Sequence, residues 1–453
     1  MSNLPAALIH SLKDVRGFDE RLFIEVHHDD TQITSIRLNP AKPVLVSELP
    51  VESVIPWCAN GRYLSERPSF TLDPTFHGGA YYVQEASSMF LDQIIKQLYK
   101  HDDEPKRVLD MCAAPGGKST LLAAALPDSF IVSNEVIKTR VTVLAENISK
   151  WGSSNVVVTN NDPRDFKRLP GYFDLIMIDA PCSGSGLFRK DADAISEWSG
   201  ANVQLCSMRQ QRILTDTIGS LRQNGYLIYS TCSYSKEENE EVCDWIIDQF
   251  QVIPVDIKID PSWGIVETKS LKHQVPGYRF YPYKLKGEGF FIACFHQRNP
   301  VDQYYPHYKP ASSILKQEKT IIERWIDLPD QYVFNKQQEL IVAFPAKWHE
   351  EISEVSKSLV IRKSGVAVGS IKGADLVPHH ELALSNILTS NSPFAELNKE
   401  QSLQYLRRQD LLLDTKLKGW ALAQYQGINL GWMKVLPNRV NNYYPVNWRI
   451  LKS

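Results

Sequence analysis

The chain has 453 residues, 43% of them hydrophobic and 23% charged, which is material for about three packed domains and excludes a disordered tail or a staple-dependent mini-protein. With 50 Lys+Arg against 52 Asp+Glu the formal net charge is −2, so no whole-molecule field steers it to nucleic acid or membrane, and any such partner must be met by a local patch. The longest apolar runs, such as 289–295, fall far short of the roughly 20 residues a bilayer crossing needs. Asp14, Asp19 and Glu20 stand where a secretory signal would be apolar, so a cytoplasmic protein without membrane contact is expected.

Residues 1–98 mix an amphipathic piece at 22–27 with a β-like piece at 33–38, with turn signals at Asn39-Pro40 and Gly78-Gly79; they predict a small α+β N-terminal domain. From residue 107 short apolar runs alternate with stretches of helical spacing, the pattern of a parallel sheet built from βαβ units. Strands are expected at 107–111, 130–135, 155–159, 173–179 and 225–231, with 290–295 closing the sheet after a hairpin. Helices are expected at 119–126, 138–151, 202–222 and 236–249. The fold class is therefore α/β, with a doubly wound, Rossmann-like domain over 99–298. The Tyr/Pro-rich stretch 304–308 reads as a linker, followed by a first C-terminal domain at 310–385 and a second at 390–453. There is no internal repeat. Seven Cys without a C-x-x-C pair disfavour a disulfide framework and a zinc ribbon. His380-Glu381 lacks the second His of a zinc-protease motif, because Leu384 stands there. No metal site is expected.

Open α/β sheets bind ligands at the carboxyl ends of their strands, so the residues that end each strand carry the functional information. The first expected strand runs into Cys112-Ala113-Ala114-Pro115-Gly116-Gly117-Lys118. A phosphate-cradling P-loop would need Gly where Cys112 stands, whereas a turn of small residues lets the backbone approach a nucleoside with an uncharged or zwitterionic tail. Glu135 ends the second strand, placed to accept from ribose hydroxyls; the alternative is a residue flanking the next helix start. Asp162 follows the third strand and is placed to accept from an adenine amino group, or simply to close an Asx-turn before Pro163. Asp179-Ala180-Pro181-Cys182 and Thr231-Cys232 end the fourth and fifth. Buried cysteines are usually structural, but two thiols at adjacent strand ends beside an Asp and Gly-rich turns converge on one crevice.

The run 110–120, the turn 179–184 and Ser230-Thr231-Cys232-Ser233 resemble the three hallmark motifs of the Nop2/Sun family of S-adenosylmethionine-dependent RNA cytosine-5 methyltransferases. The resemblance continues at 82–88, 189–194, Trp198-Ser199 and Glu237-Glu238-Asn239-Glu240. The C-terminal modules, and an N-terminus that is not all-helical, are most similar to the bacterial members that methylate 16S rRNA near the decoding site. The resemblance implies a class I methyltransferase domain, S-adenosylmethionine as cofactor, and 16S rRNA or the small ribosomal subunit as partner of a monomer. It implies cofactor contacts by Cys112, Ala113, Ala114, Pro115, Gly116, Gly117 and Lys118, by Glu135 at the ribose, Asp162 at the adenine, and Arg140. It further implies Asp179 at both cofactor and base, Cys232 as nucleophile and Cys182 as the residue that releases product. Met111-Cys112 departs from the small apolar pair of some members.

The chemistry explains these residue types. Carbon-5 of cytosine is too weak a nucleophile to attack a methyl sulfonium, so a thiolate must first add at carbon-6 and later leave. Asp179 is then expected as a hydrogen-bonding acid toward N3, and the base must be unstacked to be reached. For RNA grip, residues 415–453 contain Lys416, Lys418, Lys434, Arg439, Arg449 and Lys452 and no Asp or Glu, interleaved with Trp420, Tyr425, Trp432, Tyr443, Tyr444 and Trp448. Such a set suits phosphate contacts and base stacking, although about half of these rings also suit the core of a small barrel. The resemblance implies a PUA-like RNA-binding module here. A DNA cytosine-5 methyltransferase would carry Gln after Pro181-Cys182, where this chain has Ser183. A tRNA or other rRNA target, or a non-catalytic ribosome-assembly factor, are the remaining readings.

Overall fold

The computed structural model describes residues 4–29, 31–43, 48–301 and 314–451; the stretch 304–308 and Lys452 lie outside them. The central sheet is built from β1 (Arg107–Asp110), β2 (Phe130–Asn134), β3 (Val156–Thr159), β4 (Phe173–Asp179), β5 (Leu221–Thr231) and β6 (Phe290–Gln297). Between them run α1 (Gly117–Ala125), α2 (Lys138–Trp151), α3 (Gly200–Thr217) and α4 (Glu240–Gln249). The strand order is β3-β2-β1-β4-β5-β6, extended beyond β6 by a hairpin at Val266–Lys269 and Pro276–Phe280. The first five strands are parallel and β6 is antiparallel to β5. The order reverses between β1 and β4, which opens a crevice at their carboxyl ends.

Near-continuous apolar runs make these strands because both faces of the sheet are covered. Every residue of β2 is buried, and successive side chains divide between two cores. Val108, Ile131, Met177 and Ile228 face one core with Leu121 and Leu144. Leu109, Val132, Ile178 and Leu227 face the other. Three expected helices differ at their ends, the one expected at 119–126 running over Gly117–Ala125. The one expected to reach residue 222 stops at Thr217, because Ile218–Ser220 is a 3-10 turn and β5 begins at Leu221. The one expected from 236 starts as the 3-10 turn Lys236–Glu238, with α4 beginning at Glu240. At the break, Asn239 turns its side chain to Thr231 Oγ1 (2.6 Å) and Ser233 O (2.8 Å) instead of continuing a helix.

The N-terminal region forms a four-stranded sheet over Thr34–Leu38, Val51–Ile55, Cys58–Leu64 and Tyr81–Val83. Its Arg37, 1% exposed, donates to Thr120 Oγ1 (2.6 Å) and Gly117 O (3.2 Å) and lies over the Trp151 ring. The N-terminal sheet is thereby fastened to the helix that carries the ligand-facing turn. The segment 310–385 is sewn into the central sheet, since β7 (Ile361–Ser364) pairs antiparallel with β3. Phe344, Trp348, Ile352 and Val355 complete one of its cores. The C-terminal sheet comprises Phe394–Glu396, Gly419–Tyr425, Ile428–Leu436 and Arg439–Asn442. Its Leu422 and Trp432 share a core with Ile322, Ile326 and Leu382.

His380 sits at this junction, against Tyr444 and Trp448, with neither ring nitrogen hydrogen-bonded. Burial drives its pKa down to about 3. Below about pH 6.5 the unfolded chain binds a proton there that the folded chain refuses, so acidification withdraws up to about 1.4 kcal/mol of stability per pH unit at this residue. His380→Phe is therefore expected to gain stability relative to the wild type as pH falls from 7 to 5, measured by urea unfolding at each pH. A constant difference across that range would disprove it.

Candidate active site at the carboxyl ends of the sheet

A cavity of about 530 Å³ opens at the reversal of strand order. Cys112, Ala114, Glu135, Arg140, Asp179, Cys182 and Cys232 all line it. Ala113, Pro115, Gly116, Gly117, Lys118 and Asp162 are not among its lining residues, and next to Asp162 it is Pro163 that supplies the surface. Local sequence dictates the turn. Gly116 adopts φ +115° to enter α1, a conformation that side-chain-bearing residues rarely take.

Glu135 is 3% exposed. Its Oε1 accepts from Ile137 N–H at 2.9 Å, and Oε2 has no hydrogen-bond partner, although Arg140 Nη1 lies 3.3 Å away. The carboxylate thus supports the start of α2, as the helix-start reading has it, and its other oxygen lies at the cavity beside Arg140. Arg140 is held by Nη2 donating to Ala114 O at 2.6 Å. Asp162 realises its turn reading, accepting from Arg164 N–H at 3.2 Å, and its other oxygen accepts from Arg212 at 2.9 Å.

Asp179 accepts from Ser230 Oγ at 2.6 Å and from Lys118 Nζ at 2.7 Å. Burial works against the Lys118 ammonium, but Asp179, with Asp110 behind it, outweighs burial and raises the lysine's pKa. Lys118 is thus a cation partner of the carboxylate that the cytosine chemistry assigns to N3. Asp110, fully buried, accepts from Ser119 Oγ at 2.6 Å and leaves Oδ1 unpartnered. Burial pushes its carboxyl up to about 7, against the pull of Ser119 and Lys118.

The parallel register of β4 and β5 sets Asp179 opposite Ser230 and brings the following turns together. Cys182 Sγ and Cys232 Sγ lie 2.9 Å apart, and Gly186 N–H fixes Cys232 O at 2.8 Å. The hydrogen bond to Cys232 raises the Cys182 thiol well above its usual range, and burial adds to it. Either sulfur can be the donor of this contact, and it sets the two thiols side by side at the cavity wall. Cys112 also faces the cavity, its thiol pushed up by burial.

Sequence reasoning missed Arg209, an exposed guanidinium at the cavity wall, because a polar helix face carries no sign of what it overlooks. It also missed the part played by Glu238, which was noticed only as one acid in a run. Of the C-terminal aromatics, Trp432 and Tyr444 are core, and Trp448 packs on His380 and Lys150. Trp420 and Tyr443 meet edge-to-face at 4.5 Å, with Lys434 Nζ 5.2 Å from the Trp420 ring centre; Tyr443 is 40% exposed. Among the described residues no group of three or more His, Cys, Asp or Glu could hold a metal, and no helix is long and apolar enough to cross a membrane.

The strand order, the glycine-turned loop and the cavity at the reversal point define the class: a Rossmann-like methyltransferase. Residues 96–296 match the family model of 16S rRNA methyltransferase RsmB/F, 4–86 the N-terminal domain of 16S rRNA methyltransferase RsmF, and 393–450 the methyltransferase RsmF PUA domain. The chain belongs to the RsmB/F family of 16S rRNA methyltransferases, with the N-terminal and PUA domains of its RsmF branch. It is 32% identical over 410 residues to ribosomal RNA small subunit methyltransferase F of Erwinia tasmaniensis, covering 86% of this chain and 84% of the relative. The protein of the same name from Aliivibrio fischeri is 30% identical over the same shares. A crystal structure of a methyltransferase homolog protein from Pyrococcus horikoshii superposes with a TM-score of 0.51 at 28% identity, over 65% of this chain and 100% of that one.

Proposed function

We propose that the chain transfers a methyl group from S-adenosylmethionine to carbon-5 of a cytidine in the decoding-site region of 16S rRNA, in the cytoplasm, through a covalent cysteine–carbon-6 adduct. The observation that carries this reading is the pair of cysteine sulfurs 2.9 Å apart in the wall of the same cavity as Glu135. Family membership and the small-subunit relatives support the rRNA target.

The cavity fits the cofactor: it is of ligand size, and Oε2 of Glu135, buried, accepting no hydrogen bond and with Arg140 3.3 Å away, is an acceptor suited to donors such as ribose hydroxyls. Glu135, Arg140, Asp162, Asp179 and the turn from Cys112 to Lys118 would hold S-adenosylmethionine. When bound, it supplies an electrophilic methyl group. Cys232 adds to carbon-6 of the unstacked base, which makes carbon-5 nucleophilic and sends a proton demand to N3. Asp179, which lines the cavity, answers that demand with Lys118 ion-paired behind it. After methyl transfer to carbon-5, Cys182 or a water it positions takes the carbon-5 proton, the electron pair left behind re-forms the carbon-5–carbon-6 double bond, and Cys232 leaves carbon-6 as the thiolate. We assign residues 1–98 as the N-terminal domain, 99–298 as the catalytic domain, 310–385 as the first C-terminal domain and 390–453 as the RNA-binding domain. In the last, Trp420, Tyr443 and Lys434 form the surface suited to unpaired bases and phosphate.

The test is transfer of labelled methyl from S-adenosylmethionine into naked 16S rRNA, small subunits, tRNA and DNA in parallel, followed by nucleoside analysis. Label in 5-methylcytidine of 16S rRNA, free or in the subunit, is expected. Label confined to tRNA or DNA, or none at all, would overturn the assignment.

A further inference from the structure

Glu238 is fully buried at the end of the turn that follows the Cys232 loop. Its Oε1 accepts from Ser183 N–H at 2.8 Å and Gln210 Nε2 at 3.3 Å. Its Oε2 accepts from Ser183 Oγ and Ser233 Oγ, each at 2.5 Å. Ser183 directly follows Cys182, and Ser233 directly follows Cys232. One carboxylate therefore grips the residue next to each thiol. The grip is itself braced: the single O–H of Tyr229 lies between Glu238 O at 2.6 Å and Gln210 Oε1 at 2.9 Å, either of which can accept it.

A buried carboxylate is costly unless paired, and no Lys or Arg pairs with Glu238 among the described residues. Its stabilisation comes from four donors, two of which belong to the loop of one cysteine and one to the loop of the other. An apolar side chain would avoid the cost and lose the connection. We infer that Glu238 is a positioning residue that ties the two cysteine-bearing loops together and sets which sulfur attacks. This rests on the proposed reading of Cys232 and Cys182 as the reacting pair. Its carboxylate also adds to what raises the Cys182 pKa, after the hydrogen bond to Cys232 and burial.

The experiment compares full-length wild type, Glu238→Gln, and the double variant Ser183→Ala/Ser233→Ala, which removes the hydroxyl tethers without touching the carboxylate. Four readouts are taken: steady-state methylation of small subunits, calorimetric affinity for S-adenosylmethionine, thermal melting, and the pH profile of iodoacetamide labelling at Cys182 and Cys232 resolved by mass spectrometry. Both variants are expected to lose about tenfold or more in kcat with KM and cofactor affinity within about twofold of wild type, the signature of misplaced reacting groups rather than weakened binding. Labelling, which in the wild type favours Cys232, should become less selective between the two thiols. Wild-type kcat and selectivity in Glu238→Gln would overturn the inference. So would a loss of kcat matched by equal losses of cofactor affinity and melting temperature, because that marks a scaffold residue only. Cys232→Ser runs alongside: methylation by that variant would remove the underlying reading, whatever Glu238 does.

Discussion

Cys232→Ser should abolish methylation and form no covalent RNA adduct, while Cys182→Ala should accumulate a protein–RNA adduct that survives denaturing electrophoresis. The difference follows from the order in which the two thiols act. A serine hydroxyl is far too poorly ionised to add to the cytosine ring, so without Cys232 the reaction stops before the first bond forms. Without Cys182, Cys232 still attacks and carbon-5 is still methylated, but release stalls and the carbon–sulfur bond persists. The two sulfurs lie 2.9 Å apart, and the contact with Cys232 together with burial raises the Cys182 pKa, which agrees with this division. Reversed roles give the reversed gel, with adduct lost in Cys182→Ala and retained in Cys232→Ser. That result would refute the assignment of the two thiols while leaving the reaction class intact.

Glu135→Ala should weaken binding of S-adenosylmethionine roughly 10- to 150-fold, corresponding to the loss of about 1.5 to 3 kcal/mol when a charged acceptor is withdrawn from two hydroxyls. The structure adds a control. Oε1 of Glu135 also accepts from Ile137 N–H at the start of α2, so some of the loss in the alanine variant comes from the helix start rather than the ligand. Glu135→Gln keeps an acceptor for Ile137 and removes the charge facing the cavity, and should fall between wild type and alanine. Calorimetric titration separates the cases. Unchanged affinity in Glu135→Ala would sink the ribose role, and alanine and glutamine variants with equal, full losses would show that charge alone matters.

The division of labour between the C-terminal modules is tighter than their sequence boundaries suggest. Trp432 lies against Trp325 at 5.5 Å, within a core shared by 310–385 and 390–453. Deleting 390–453 would expose that core. The RNA contribution is therefore better probed by substitutions at Trp420, Tyr443 and Lys434, which lie at the surface of the C-terminal sheet.

What the sequence determined by itself is the set of features encoded over short windows. Apolar runs such as 130–134 and 173–178 specify strands buried on both faces, and the spacing at 138–151 specifies α2 to the residue. Strand ends could then be read off, so Cys112, Glu135, Asp179, Cys182 and Cys232 were expected at one crevice from their positions, whereas Arg140 was expected there only from the family resemblance. The tertiary structure decided every relation between distant residues. It set the thiols 2.9 Å apart across 50 residues of chain, joined Lys118 to Asp179, and drew Ser183 and Ser233 onto Glu238. It also gave the central sheet the edge strand Ile361–Ser364, whose Ile-Arg-Lys-Ser carries too little apolar pattern to announce a strand. The same limit applies to the C-terminal rings: Trp420 and Trp432 are alike in composition and setting, yet one is half-exposed and the other core. Periodicity is a property of neighbours along the chain. Hydrogen bonds, ion pairs and burial depend on which surfaces meet when the sheet registers close, and no local window contains that information.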